Sequence, residues 1–242
     1  MLGFYNVLSY IEDSWLSTQS LRQPMTNLRL CYQTFEFGKT DIHLCTLRNR
    51  QEFYDPEGVA DKLGISSAMW PIFGVVWPSS LVLAHYISEY HTRSKRILEI
   101  GCGTAITSLL LNKNNADITA TDHHPETGKF LIRNTNLNED KPISFVRADW
   151  SEQNDELGLF DLIIGSDLLY EDVHINLVAN FINEHAKQNC KVVLVDPGRG
   201  RANKFTKRMK SLGYISYHFK PTDTQYLDEA FNGYILNFER SI

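Results

Sequence analysis

Residues 28–37, "LRLCYQTFEF", and 41–49, "DIHLCTLRN", alternate apolar and polar positions. Period-two alternation predicts half-buried strands, and the intervening Gly38, Lys39 and Thr40 predict a β-hairpin. Ahead of the hairpin, residues 4–17 read as a helix. Behind it, "DPEGVADKLG" (55–64) predicts a short helix closed by Gly64. The stretch "SSAMWPIFGVVWPSS" (66–80) is rich in aromatic residues and proline and carries neither period.

From about residue 78 the pattern changes to strand–helix alternation. A helix is expected over 79–90, with Pro78 at its start. Strand "RILEI" leads to helix "AITSLLLN", and strand "DITATD" to a helix over 126–137. Strands "ISFVRADW" and "FDLIIGSD" follow, then helix "HINLVANFINEHAKQ" (174–188). Strand "KVVLVD" leads to helix "ANKFTKRMKSLG", and strands "YISYHFK" and "FNGYILNFER" close the chain. The inner strands are short, continuous runs of Ile, Leu and Val, as in strands covered on both faces. The fold class is therefore α/β, a doubly wound, mainly parallel sheet with an N-terminal helix and β-hairpin extension. Domain boundaries are expected at 1–64 for the extension and 65–242 for the sheet domain.

Ligands of doubly wound sheets sit beyond the carboxyl ends of the strands. The exits are Gly101–Thr104, Asp122, Asp149 and Trp150, Ser166–Tyr170, and Asp196–Arg199. At the first, "EIGCGT", Gly101 and Gly103 permit a tight turn and a close ligand. The third glycine of a dinucleotide fingerprint is replaced by Ile106, which disfavours a pyrophosphate. Glu99, at a buried strand end, needs a partner, and a cationic ligand group is one candidate. Asp122 lies about twenty residues beyond the turn, where a carboxylate binds the ribose hydroxyls of an adenosine cofactor. Asp149 can accept from an adenine amine and Trp150 can pack on the ring. Asp167 and Tyr170 share a face if a helical turn begins there. Each also has a purely structural alternative: a plain strand–helix turn, helix-capping aspartates, core aromatics. His123 and His124 are adjacent, point differently and make no natural metal pair, so no metal is expected.

Composition narrows the class. Net charge is −5, which argues against non-specific nucleic-acid binding. The basic runs "TRSKR" and "GRGRANKFTKRMK" read as solvated surface. No run approaches the roughly 18 apolar residues of a membrane span, and Glu12 and Asp13 interrupt the apolar N-terminus, so a signal peptide is not expected. Cys31, Cys45, Cys102 and Cys190 are scattered and read as reduced thiols of a cytoplasmic protein.

Taken together, the GxG turn, the acid ending the second sheet strand, "DW" after the third and "SDLLY" after the fourth resemble a seven-strand S-adenosylmethionine (AdoMet) methyltransferase. "FGVVWPSSLVLAHYI" and the Asp-x-x-Tyr signature resemble the family-16 protein-lysine methyltransferase group. "DPGR" (196–199) resembles the branch containing the electron-transfer-flavoprotein β-subunit lysine methyltransferase. The likeness covers about residues 65–240. It implies a Rossmann-like seven-strand sheet with the last strand antiparallel. It implies AdoMet against Gly101, Cys102 and Gly103, with Glu99 near the ammonium, Asp122 on the ribose, and Asp149 and Trp150 on the adenine. Trp77 and Ser166 would touch the cofactor, and Asp167 and Tyr170 would be the catalytic pair at the substrate channel. A protein lysine is the implied substrate; the oligomeric state is not readable from the sequence, and a monomer is taken as the default. Substrates of another kind, a binding module without activity and a nicotinamide dehydrogenase are the alternatives. The sequence leaves Arg199 undecided between pairing with Asp196 and holding an acidic substrate patch.

Overall fold

The computed structural model describes residues 28–153 and 155–240; the helix expected over 4–17 lies outside the described residues. The hairpin forms from β1 (Leu30–Phe37) and β2 (Thr40–Leu47), antiparallel, in the register Phe37↔Thr40 to Leu30↔Leu47. Its turn is the pair Gly38–Lys39, with Thr40 already in the strand; Gly38 supplies the positive φ of 63°. A short α1 (Val59–Lys62) follows, its free amides capped by Asp55, whose carboxylate accepts from the Val59 and Asp61 N–H groups.

The sheet domain runs α2 (Pro78–Ser88), β3 (Arg96–Ile100), α3 (Ile106–Lys113), β4 (Asp117–Asp122), α4 (Thr127–Leu137), β5 (Ser144–Arg147), β6 (Phe160–Ser166), α5 (His174–His185), β7 (Ala186–Asp196), α6 (Ala202–Ser211), β8 (Ile215–Phe219) and β9 (Tyr234–Arg240). Its seven strands lie in the order β5-β4-β3-β6-β7-β9-β8. All pairings are parallel except those of β9, which runs antiparallel to both β7 and β8. Pleat alternation covers both faces. Leu98, Ile100, Ile163, Val192 and Leu194 pack with α5 and α6, whereas Ile97, Leu162, Ile164, Val193 and Val195 pack with α2.

Most elements are a few residues shorter than the sequence reading, and one stretch changes type. Residues 186–188, expected to end the helix, begin β7 instead. Tertiary partners decide this: Lys187 pairs with Asp161 at 2.7 Å, and Arg240 donates to the Ala186 and Lys187 carbonyls.

The hairpin shares a core with the sheet domain. Phe37, Ile42 and Leu44 pack with Ile106, Leu109, Ala120 and Leu131. The outer edge of β2 is sealed by two asparagines, Asn134 in α4 and Asn138 at its C-cap. Asn138 exchanges hydrogen bonds with the His43 backbone (2.8 and 2.7 Å) and Asn134 with that of Cys45 (2.7 and 3.1 Å). Cys31 and Cys45, in the hairpin, are both free thiols; Cys31 pairs across to Thr46 and Cys45 to Tyr32, which puts their side chains on opposite faces. Among the described residues no helix is long and apolar enough to cross a membrane, and no group of three or more His, Cys, Asp and Glu side chains could hold a metal ion.

Candidate active site

Chain order reverses between β3 and β6, and the crevice at that switch point opens beyond their carboxyl ends. A cavity of about 510 Å3 lies there. All the residues expected at the site line it except Glu99: Trp77, Gly101, Cys102, Gly103, Asp122, Asp149, Trp150, Ser166, Asp167 and Tyr170.

Gly101 and Gly103 form the floor, both left-handed at φ 59° and 52°. A Cβ on Gly101 would stand 2.6 Å from Leu168 Cδ2 and 3.3 Å from the Trp150 ring, so a larger residue would displace both. Asp122, at the end of β4, braces the turn: its carboxylate accepts from the Gly103 N–H at 2.8 Å and the His124 N–H at 2.9 Å. Burial pushes its carboxyl up, against the pull of those two bonds. Cys102 is buried, and burial raises its thiol well above the usual range, so it offers no nucleophile.

Glu99 does not line the cavity. It is buried on β3 and turns to α3, where it accepts from the Ser108 N–H at 2.9 Å and from the Ser108 hydroxyl. The N-cap of α3 is Ala105, which has no side chain to cap with. Glu99 therefore supplies from a neighbouring strand the acceptor that the first helical turn lacks. Burial raises its carboxyl to about 7 even with the Ser108 bonds opposing.

Asp149 accepts from the Ser151 N–H and hydroxyl (2.8 and 2.7 Å) and stands 3.6 Å from His123 Nδ1. Burial pushes its carboxyl up, but the Ser151 bonds, His123 and Arg147 outweigh it and hold it below the usual carboxylate range. Trp150 meets His174 edge-on, and His174 meets Tyr170 edge-on at 4.3 Å, which fixes one wall. Trp77 donates from Nε1 to the Ile72 carbonyl and carries the Arg50 guanidinium 4.3 Å over its ring.

No helical turn begins at Asp167. The residue after β6 takes φ 55° and donates its N–H to Val195 at 2.8 Å, and a bent segment carries Leu168 and Leu169 into the core. Asp167 and Tyr170 nonetheless both reach the cavity. Arg199 settles on Asp167, not Asp196: Nε and Nη2 donate to the two carboxylate oxygens at 2.6 and 2.8 Å. Burial, then the nearby carboxylates, raises the Tyr170 phenol to about 12, so it stays protonated at neutral pH.

Sequence reading missed Arg50, Phe73 and His124 on the cavity wall. The Phe73 and His124 rings stack at 4.0 Å, and burial lowers His124 to about 4. A neutral imidazole agrees with its Nδ1 accepting from the Glu126 N–H. Phe73 lies on a three-residue 3-10 turn (Ile72–Gly74) and His124 on a loop, both too short for a period; the run of aromatics at 70–77 was the one available signal.

The donor set suits AdoMet. Three carboxylates, Asp122, Asp149 and Asp167, and two indoles face the space, matching a cation joined to a ribose and a purine. The two arginines on the wall are already engaged, Arg50 on Trp77 and Arg199 on Asp167, so a pyrophosphate finds no clamp.

Comparison with known proteins agrees. A family profile described as lysine methyltransferase matches residues 63–212. The protein N-lysine methyltransferase METTL21A of Xenopus tropicalis is 25% identical over 64% of this chain and 72% of its own length. The electron transfer flavoprotein beta subunit lysine methyltransferase of Mus musculus is 28% identical over 76% and 71%. Across curated relatives the match spans from 52% to 72% of their own length. A T. thermophilus 16S rRNA methyltransferase, solved with AdoMet and guanosine, shares the fold at TM-score 0.62 and 15% identity, covering 90% of this chain and 52% of that one. The methyl donor is AdoMet, and the chain belongs to the lysine methyltransferase family.

Proposed function

We propose that the chain transfers a methyl group from AdoMet to the side-chain amine of a lysine in a protein substrate. The strongest support is the Asp167–Arg199 pair beside the protonated Tyr170 on the cavity wall. The lysine substrates named for two relatives support the same choice.

Bound AdoMet supplies a methyl on a sulfonium, a good leaving group, so the protein's task is positioning. Gly101, Cys102 and Gly103 are assigned to the methionine part, Asp122 to the ribose, and Asp149 and Trp150 to the adenine. Trp77 and Ser166 wall the cofactor. Glu99 acts one step back, holding α3 and with it the glycine turn.

A lysine must be neutral to attack, and deprotonation near pH 7.4 costs about 4 kcal/mol. A lone carboxylate beside it would favour the ammonium and raise that cost. Arg199 offsets the charge of Asp167, so Asp167 can accept a hydrogen bond from the incoming amine without locking its proton in place. Tyr170 lines the channel and offers its O–H. Residues 1–64 are taken as an extension that serves the substrate, and 65–242 as the catalytic domain. The same reading has a cytoplasmic monomer acting on protein and not on nucleic acid, in keeping with the net charge of −5.

The test is to incubate the chain with methyl-labelled AdoMet and cell lysate beside Asp167→Ala. Label in a discrete protein band that vanishes in the variant is the expected result. Label confined to the small-molecule fraction would overturn it.

A further inference from the structure

The hairpin has one sealed edge and one open edge. The Arg48 N–H donates to the Arg29 carbonyl at 2.9 Å, which sets the phase of the ladder. Residues 31, 33, 35 and 37 then turn their backbone groups to β2, while Leu30, Tyr32, Thr34 and Glu36 turn theirs outward. The matching outward groups of β2, on His43 and Cys45, are occupied by Asn138 and Asn134. Among the described residues nothing pairs with β1 on its outer side. An open edge is usually protected by lysine, proline or a bulge. β1, "LCYQTFEF", has no lysine or proline and pairs with β2 in unbroken register.

A groove of about 990 Å3 lies against the hairpin and reaches this edge at Thr34 and Glu36; Cys31, Gln33 and Phe35 of β1 and Thr46 and Leu47 of β2 also line it. Its opposite wall is α2, through Leu81 and His85, and the segment Tyr226–Glu229. His85 and Tyr226 stack at 3.6 Å and brace that wall. Arg50 and Val75 line both the groove and the AdoMet cavity, so the two spaces adjoin. Glu36, Asp228 and Glu229 are exposed along the groove and enter no ion pair among the described residues, while the exposed Arg48 and Arg50 line its β2 end, so acidic side chains outnumber basic ones by one.

We propose that this groove docks the protein substrate: an extended, basic segment flanking the target lysine adds to β1 as a third strand and leads the lysine toward Asp167. This rests on the protein-lysine reading above. Main-chain bonds to Leu30, Tyr32, Thr34 and Glu36 supply affinity, and the three carboxylates select basic flanking side chains. Six residue steps separate Leu30 from Glu36, about 20 Å of extended chain, so a segment of some seven residues is read.

The test uses the full chain, with total lysate protein titrated as substrate and labelled AdoMet as donor. In Thr34→Pro the lost N–H is an outward one, so the ladder to β2 is kept while strand addition is blocked. Asp228→Lys with Glu229→Lys is a second variant that leaves β1 untouched. Both should raise the apparent KM for lysate protein about tenfold, with kcat and AdoMet affinity unchanged. An unchanged KM in both, with label still entering protein, would overturn the groove and leave the lysine reading standing. Failure of the wild-type chain to label protein would overturn both. Amide exchange at Tyr32, Thr34 and Glu36 should be fast in the free chain and slow with lysate protein. Slow exchange already in the free chain would mean that residues 1–27 or a second copy hold the edge, against the proposal.

Discussion

The Arg199 guanidinium holds the Asp167 carboxylate through two hydrogen bonds, of 2.6 and 2.8 Å, across 32 residues of sequence. The same contact pushes the guanidinium further above its ordinary range. Asp167 is held at φ 55°, a left-handed geometry that non-glycine residues adopt when the surroundings impose it. The strand end fixes the backbone and Arg199 fixes the side chain.

Removing Arg199 should therefore change pH dependence more than affinity for AdoMet. In Arg199→Gln the carboxylate of Asp167 is no longer offset and favours the ammonium form of the bound lysine. The acid limb of the rate profile moves to higher pH, kcat near pH 7 falls about tenfold, and much of it returns near pH 9. Initial rates across that range, with direct titration of AdoMet, check this; a uniform loss at every pH would show that Arg199 only supports the fold.

Glu99 should make the ligand-free chain less stable as pH rises. Its carboxyl titrates near 7 when folded against an ordinary 4.5, so the folded state binds more protons than the unfolded one between those values. The stability is fully present below about 4.5 and is lost as pH rises to about 7, on the order of 3 kcal/mol in all. Asp122, also raised, adds in the same direction. Glu99→Gln keeps an acceptor for Ser108 and should flatten the profile. Urea unfolding at pH 5 and pH 8 measures the difference.

Gly101→Ala should abolish useful cofactor binding while leaving the fold. The left-handed φ of 59° costs an alanine about 1–2 kcal/mol. Its methyl would also press on Leu168 and the Trp150 ring, displacing the wall given to the adenine. AdoMet affinity is expected to drop more than about tenfold by calorimetry, with a thermal midpoint only a few degrees lower.

Asn134→Ala should cost stability far from the chemistry. Asn134 is fully buried and satisfies both backbone groups of Cys45. Two orphaned polar groups make the expected loss about 2 kcal/mol or more. Unfolding midpoints measured with AdoMet affinity should show the first changed and the second not.

How much of this was legible in the sequence depends on which interaction sets each feature. Strand exits follow from chain order and from the period of apolar residues, so Gly101, Asp122, Asp149 and Asp167 could be placed on one crevice before any coordinates. Side-chain direction is a tertiary matter. Glu99 turned to Ser108 because α3 begins at an alanine with no cap of its own. Asp167 and Arg199 meet because β6 and β7 are neighbours, and only the sheet order decides between Asp167 and Asp196. The insertion of β9 between β7 and β8 was equally hidden, since two strands in succession read as an ordinary hairpin. Arg50 and His124 sit on irregular segments and Phe73 on a three-residue 3-10 turn, where no period marks which side faces inward.

The atom that receives the methyl group separates a lysine methyltransferase from its alternatives. Protein labelled by this chain with methyl-labelled AdoMet in lysate should be hydrolysed to amino acids and the label identified by chromatography against standards. Label eluting as methylated lysine, absent when Asp167→Ala replaces the wild-type chain, is the predicted result. Label eluting as methylhistidine or methylarginine, or never entering protein, would contradict it.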